Sequence, residues 1–115
     1  MLTIDLLRTW GANVDEALAR CLNNETFYLT LVGKAIQNPN FERLKETCES
    51  GQLDQAFEAA HSLKGMMANL ALTPILQPVE KITEHLRSRT AMDYTPLVGQ
   101  ILSERERLLS LSKTI

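Results

Sequence analysis

His61, Lys64, Gly65 and Ala68 are the residues whose types and spacing point to chemistry. Offsets of three, four and seven residues put all four on one stripe of an α-helix, because each residue advances the wheel by roughly 100°. Imidazole has an ordinary pKa of about 6.5, so much of it is neutral and nucleophilic at cell pH. What such a nucleophile needs is access: a ring projecting into solvent from a rigid helix rather than from a loop. The Lys64 ammonium, at i+3, stands over the adjacent turn and offsets negative charge on a group arriving at the ring. Glycine at mid-helix costs roughly 1 kcal/mol relative to alanine, so Gly65 asks for a reason. One reason is close approach of another molecule to His61, with Ala68 continuing the low surface one turn on. The other is close packing of a neighbouring helix.

The element that positions these residues is a predicted helix from about Leu53 to Leu70. Leu53, Ala56, Phe57, Ala60, Leu63, Met67 and Leu70 share one face, which reads as a core stripe. His61 lies to one side of that stripe, about 120° away on the wheel. Met66 and Met67 read as core and core-edge filler.

The rest of the chain reads as further helices. Leu2 to Trp10 forms a short one, with Ile4 and Leu7 inward, Trp10 as a lid over one end of the core, and Gly11 as its stop. Asn13 and Glu16 resemble a capping box, ahead of a core face of Val14, Ala17, Leu18, Cys21 and Leu22. After the Asn23-Asn24 turn, a helix from Glu25 to Gln37 points Tyr28, Leu31, Val32, Ala35 and Ile36 inward. Asn38-Pro39-Asn40 breaks it and starts the next, which buries Phe41, Leu44 and Cys48 and ends at Gly51. Thr73-Pro74 looks like a cap followed by an N-terminal proline, but Pro78 moves the expected start of regular helix to about Gln77. Val79, Ile82 and Leu86 form that helix's inner face. The last helix buries Tyr94, Leu97, Val98, Ile101, Leu102, Leu108 and Leu109, and Glu104 to Arg107 form its solvated side. Short connections make successive helices antiparallel neighbours. The expected architecture is all-α: one domain over residues 1–115, an antiparallel up-and-down four-helix bundle with short N-terminal helices packed across one end.

Composition supports helices packed on helices: 44% of the 115 residues are hydrophobic but only 5% aromatic. A formal charge of −2 draws neither nucleic acid nor an anionic membrane. No stretch is long enough to span a bilayer, and the start has no secretory pattern. Cys21 and Cys48 sit at apolar helical positions and read as buried thiols of a cytoplasmic protein, with no metal-type pairing to the histidines. Glycine-rich nucleotide loops are absent, so the chain has no motif for drawing on ATP itself.

His61-Ser62-Leu63-Lys64-Gly65 resembles the H-x-L-K-G signature of histidine-containing phosphotransfer (HPt) domains. Ser50-Gly51, Ala60, Ala68 and Asn69-Leu70 also fit that pattern, and chain length and helical content match one module. Gln52 departs from it where an Asp often caps the helix, and Ala71 where a Gly commonly follows. The resemblance implies that His61 is the phosphoacceptor, through Nε2, with Lys64, Gly65 and Ala68 supporting it. It implies a relay intermediate rather than an enzyme. Its partners would be response-regulator receiver domains and a hybrid sensor histidine kinase, with Mg²⁺ on the receiver and no cofactor on this chain, which would be a monomer. The competing class is a helical adaptor that binds receivers or partner helices without phosphorylation. His85, with no Lys-Gly pair after it, reads as an exposed histidine without a role.

Overall fold

The computed structural model describes residues 1–113, and every regular element among them is an α-helix. In chain order these are α1 (Ile4–Trp10), α2 (Val14–Arg20), α3 (Glu25–Ala35), α4 (Asn40–Glu49), α5 (Leu53–Asn69), α6 (Thr73–Arg87) and α7 (Thr95–Lys113). The first three start on side-chain caps that satisfy otherwise orphaned N–H groups. Thr3 accepts from the Leu6 N–H, Asn13 from that of Glu16 and Asn24 from that of Phe27. The Asn13–Glu16 pair is only half a capping box. Glu16 accepts from the Asn13 side-chain amide at 2.9 Å, while the Asn13 backbone N–H donates to the Ala71 carbonyl at 2.9 Å.

Helices α4, α5 and α6 end in one way. Gly51, Ala71 and Arg89 adopt positive φ of 74°, 54° and 52°. The next N–H in each case reaches back to the last turn: Gln52 to the Thr47 carbonyl, Leu72 to Met67, Thr90 to His85. This is the consequence of the Ala71 departure: an alanine occupies a left-handed position that glycine fills without strain, at a cost of about 1–2 kcal/mol. The Gln52 departure acts at the other end, since α5 begins with no side-chain cap.

Three of these reversals join α4 to α5, α5 to α6 and α6 to α7, and each pair is in contact, as is α4 with α7. Asn40 meets Ser62 and Arg43 meets Glu58, so α4 and α5 run in opposite directions. Asp54 pairs with Arg89, and Phe57 lies under Arg87, so α5 and α6 do too. The N-terminal helices sit near the α5–α6 turn. Arg20 donates to the carbonyls of Ala68 and Asn69 at 3.1 and 2.9 Å, and α1 lies along α7. The buried Tyr28 hydroxyl donates to the Leu70 carbonyl at 2.9 Å, tying α3 to the end of α5. Burial, with a smaller contribution from Cys21, pushes its pKa up to about 12. Trp10 is buried, and its ring N–H donates to the Glu104 carbonyl at 3.2 Å.

Several expectations require correction. Helix α6 starts at Thr73, not near Gln77: the Leu76 N–H already donates to the Leu72 carbonyl at 2.9 Å. Pro78 removes a single later bond, and its ring is buried in the core. Leu22 is not a core residue. Helix α2 stops at Arg20, and Leu22 and Asn23 both turn left-handed (φ 55° and 58°), which leaves Leu22 90% exposed. The Glu104–Arg107 run is not uniformly solvated. Arg105 donates to the Ile36 carbonyl at 2.5 Å, and its guanidinium lies 4.9 Å from the centroid of the Phe41 ring. Both cysteines are free, Cys21 buried and Cys48 half-buried.

The missing cap on α5 generates a prediction. Gln52→Asp supplies an acceptor at the N-cap and a negative charge at the positive helix end. It should raise the unfolding free energy by about 1 kcal/mol in urea titration. An unchanged or lower midpoint would show that the uncapped end carries no penalty.

Candidate functional site

Helix α5 buries Ala56, Ala59, Ala60, Leu63 and Met67. Small alanines let the flanking helices approach, and Leu63 and Met67 fill the interior. Ala59 joins this face, whereas Leu53 and Phe57, expected within it, are only half-buried. The centre of the buried face therefore lies roughly 150° from His61 on the wheel, not 120°. His61 is exposed, and so are Gly65 and Ala68. Among the described residues no hydrogen-bond partner holds either ring nitrogen of His61, and Lys64 has no ion-pair or hydrogen-bond partner. Lys64 is half-buried, one turn from His61. A Cβ built on Gly65 meets nothing within 4 Å. Close helix packing is thus not what the glycine serves.

Phe57 precedes His61 by one turn. Their rings stack with centroids 5.6 Å apart and planes 21° from parallel. The guanidinium carbons of Arg87 and Arg89 lie 5.2 and 5.5 Å from the Phe57 centroid, within cation–π range. Arg89 is in turn anchored by Asp54, to which its Nε donates at 2.6 Å, and Arg87 pairs with Glu84. On the other flank, Asn40 donates to the Ser62 hydroxyl at 3.2 Å, fixing α4 beside the site. Sequence reasoning placed Phe57 in the core and did not reach the arginines. The available signal was the i−4 offset, which puts an aromatic ring within about 40° of His61 on the wheel. The arginines had no local signal, because a hairpin between helices brings them there.

No group of three or more His, Cys, Asp or Glu is arranged to hold a metal among the described residues. No helix among them is long and apolar enough to cross a membrane. A recess of about 410 Å³ between α4 and α7, lined by Lys45, Cys48, Tyr94 and Val98 among others, lies apart from His61 and its neighbours. His85 is exposed on α6 with no comparable constellation around it.

What the site offers is a solvent-facing nucleophile on a rigid helix, with a free cation beside it and open space over the next turn. The Hpt domain family matches residues 28–111, which contain all four predicted site residues, and the chain belongs to that family. Domains of this kind are histidine phosphotransfer intermediates in phosphorelays, where they interact with receiver domains. Comparison with curated proteins and with solved structures gave no match.

Open space over Gly65 gives a test that separates its two readings. Gly65→Ala should stabilise the chain by about 1 kcal/mol in thermal or urea unfolding, because the helix gains propensity and meets no obstacle. A loss of stability would mean that the glycine serves packing after all.

Proposed function

We propose that His61 is the phosphoacceptor of a phosphorelay, taking a phosphoryl group from the aspartyl phosphate of one receiver domain and passing it to another. The observation that carries this reading is the exposed His61 ring on α5, with Lys64 one turn on and nothing above Gly65. In the forward step a ring nitrogen, Nε2 by family resemblance, attacks phosphorus with its in-plane lone pair. The N–P bond forms as the P–O bond to the donor carboxylate breaks, and the carboxylate leaves as an anion. The Lys64 ammonium offsets charge on the transferring group and on the phosphohistidine. Gly65 and Ala68 leave room for the partner's backbone.

On this reading residues 1–115 act as one cytoplasmic module, a monomer that needs no cofactor of its own. Mg²⁺ belongs to the receiver, where it would neutralise the phosphoryl oxygens. The upstream donor is a hybrid sensor histidine kinase with its own receiver. The chain is a relay intermediate, not an enzyme with a small-molecule substrate.

The test is incubation of wild type and His61→Gln with a phosphorylated receiver, followed by assay of acid-labile, alkali-stable phosphate. Wild type should acquire it and His61→Gln should not. Equal labelling of both would put the phosphate on another residue, and labelling of neither would favour an adaptor that binds without transfer; either result would overturn the assignment of His61. A second variant examines the partner's approach. Gly65→Gln should slow transfer from the receiver about tenfold or more, since a side chain now fills the space a partner must enter. An unaltered rate would remove Gly65 from the docking surface.

A further inference from the structure

We infer that Phe57 is a positioning residue for His61: its ring fixes the plane of the imidazole and so the direction in which the nucleophilic lone pair points. This rests on the reading of His61 as phosphoacceptor. An imidazole lone pair lies in the ring plane, so a ring free to turn about its side-chain bonds sweeps that lone pair through many directions. Attack on phosphorus tolerates few of them. Among the described residues no hydrogen bond holds either nitrogen of His61, so hydrogen bonding does not set the orientation. The contact that does is the near-parallel stack on Phe57, at 5.6 Å and 21°.

Phe57 is itself held. It is half-buried, and Arg87 and Arg89 from the end of α6 lie over it at 5.2 and 5.5 Å. Asp54, one turn before Phe57, grips Arg89. The chain of contacts runs Asp54 to Arg89 to Phe57 to His61, and it returns to α5 one turn from where it began. The guanidiniums draw on the π cloud of Phe57 and place positive charge near the ring without occupying its nitrogens. His61 remains exposed, and no hydrogen bond among the described residues occupies either nitrogen. A stack restrains the plane and leaves the lone pair free, which a hydrogen bond to the attacking nitrogen would not.

The experiment compares wild type, Phe57→Leu and Phe57→Tyr. Two readouts are taken: the proton resonances of the His61 ring, with His85 as internal reference, and the rate of phosphoryl uptake. Uptake is measured from a phosphorylated receiver and from phosphoramidate, a small donor that transfers its phosphoryl group to the ring with loss of ammonia. Phe57→Leu should shift the His61 signals, through loss of the ring current, and leave those of His85 in place. It should slow uptake about tenfold from both donors. Phe57→Tyr keeps an aromatic face and should restore both readouts to near wild type. Slowing confined to the receiver would overturn the proposal in favour of a docking contact. Equal slowing in the Leu and Tyr variants, or His61 signals unmoved by Phe57→Leu, would also overturn it. Arg87→Met leaves Phe57 in place and guards against a folding artefact: it should move the His61 signals in the same direction as Phe57→Leu, but less. An unmoved spectrum would remove Arg87 from the clamp. Should wild type take up no phosphoryl group from either donor, the phosphoacceptor reading fails, while the ring signals still decide whether Phe57 orients His61.

Discussion

Everything at the site depends on the rotation of α5 about its own axis. A helix with 3.6 residues per turn has one free angle once its axis is placed, and packing fixes that angle. Ala56, Ala59, Ala60, Leu63 and Met67 are all buried, and they occupy one side. With that side inward, His61 has no choice but to face solvent, and Gly65 and Ala68 follow it outward. Turning α5 enough to bury the imidazole would bring Leu63 and Met67 toward water. Burying a side chain of that size is worth about 1.5–3 kcal/mol, so the rotation is held by several such contributions at once.

The angle is also secured from outside the helix. Asn40 and Arg43 reach α5 from α4 at Ser62 and Glu58. Arg20 and Tyr28 bind carbonyls at its C-terminal end. All but the buried Tyr28 bond are exposed polar contacts with modest individual energies, yet each has only one helical register in which it can form. The hairpin to α6 adds the arginines over Phe57. The same residues that position the helix therefore shape the surface around His61. On its α6 flank that surface is cationic and aromatic, and along the Gly65–Ala68 ridge it is bare.

Much of this was legible in the sequence, and what was not has physical reasons. Burial patterns survive because they are periodic: Ile82 and Leu86 in α6, or Val98 and Ile101 in α7, are where spacing puts them. The shared outward stripe of His61, Gly65 and Ala68 was legible for the same reason, since i+4 and i+7 offsets fix a face. Phe57 misled because hydrophobic character predicts burial, while a half-buried aromatic at a stripe's edge can turn outward to another ring. Leu22 misled because its pattern continued while the backbone had already left the helix. Arg105 reads as solvated from its neighbours, and only the tertiary fold brings the Ile36 carbonyl and the Phe41 ring to it. Pro78 displaced the expected start of α6 because local rules count the lost hydrogen bond and not the buried ring. The Arg105 and Pro78 misses lie where the tertiary fold outweighs a local preference, and the Leu22 miss where the helix ends sooner than its pattern.

The central claim is that α5's buried face delivers one histidine, and only that one, to a phosphorylated partner. The most direct measurement is to map the phosphate by tandem mass spectrometry, under alkaline conditions, after reaction with a phosphorylated receiver. The account predicts phosphate on the peptide carrying His61 and none on the peptide carrying His85. Phosphate on His85, or unmodified His61 in a chain that has bound the receiver, would contradict it.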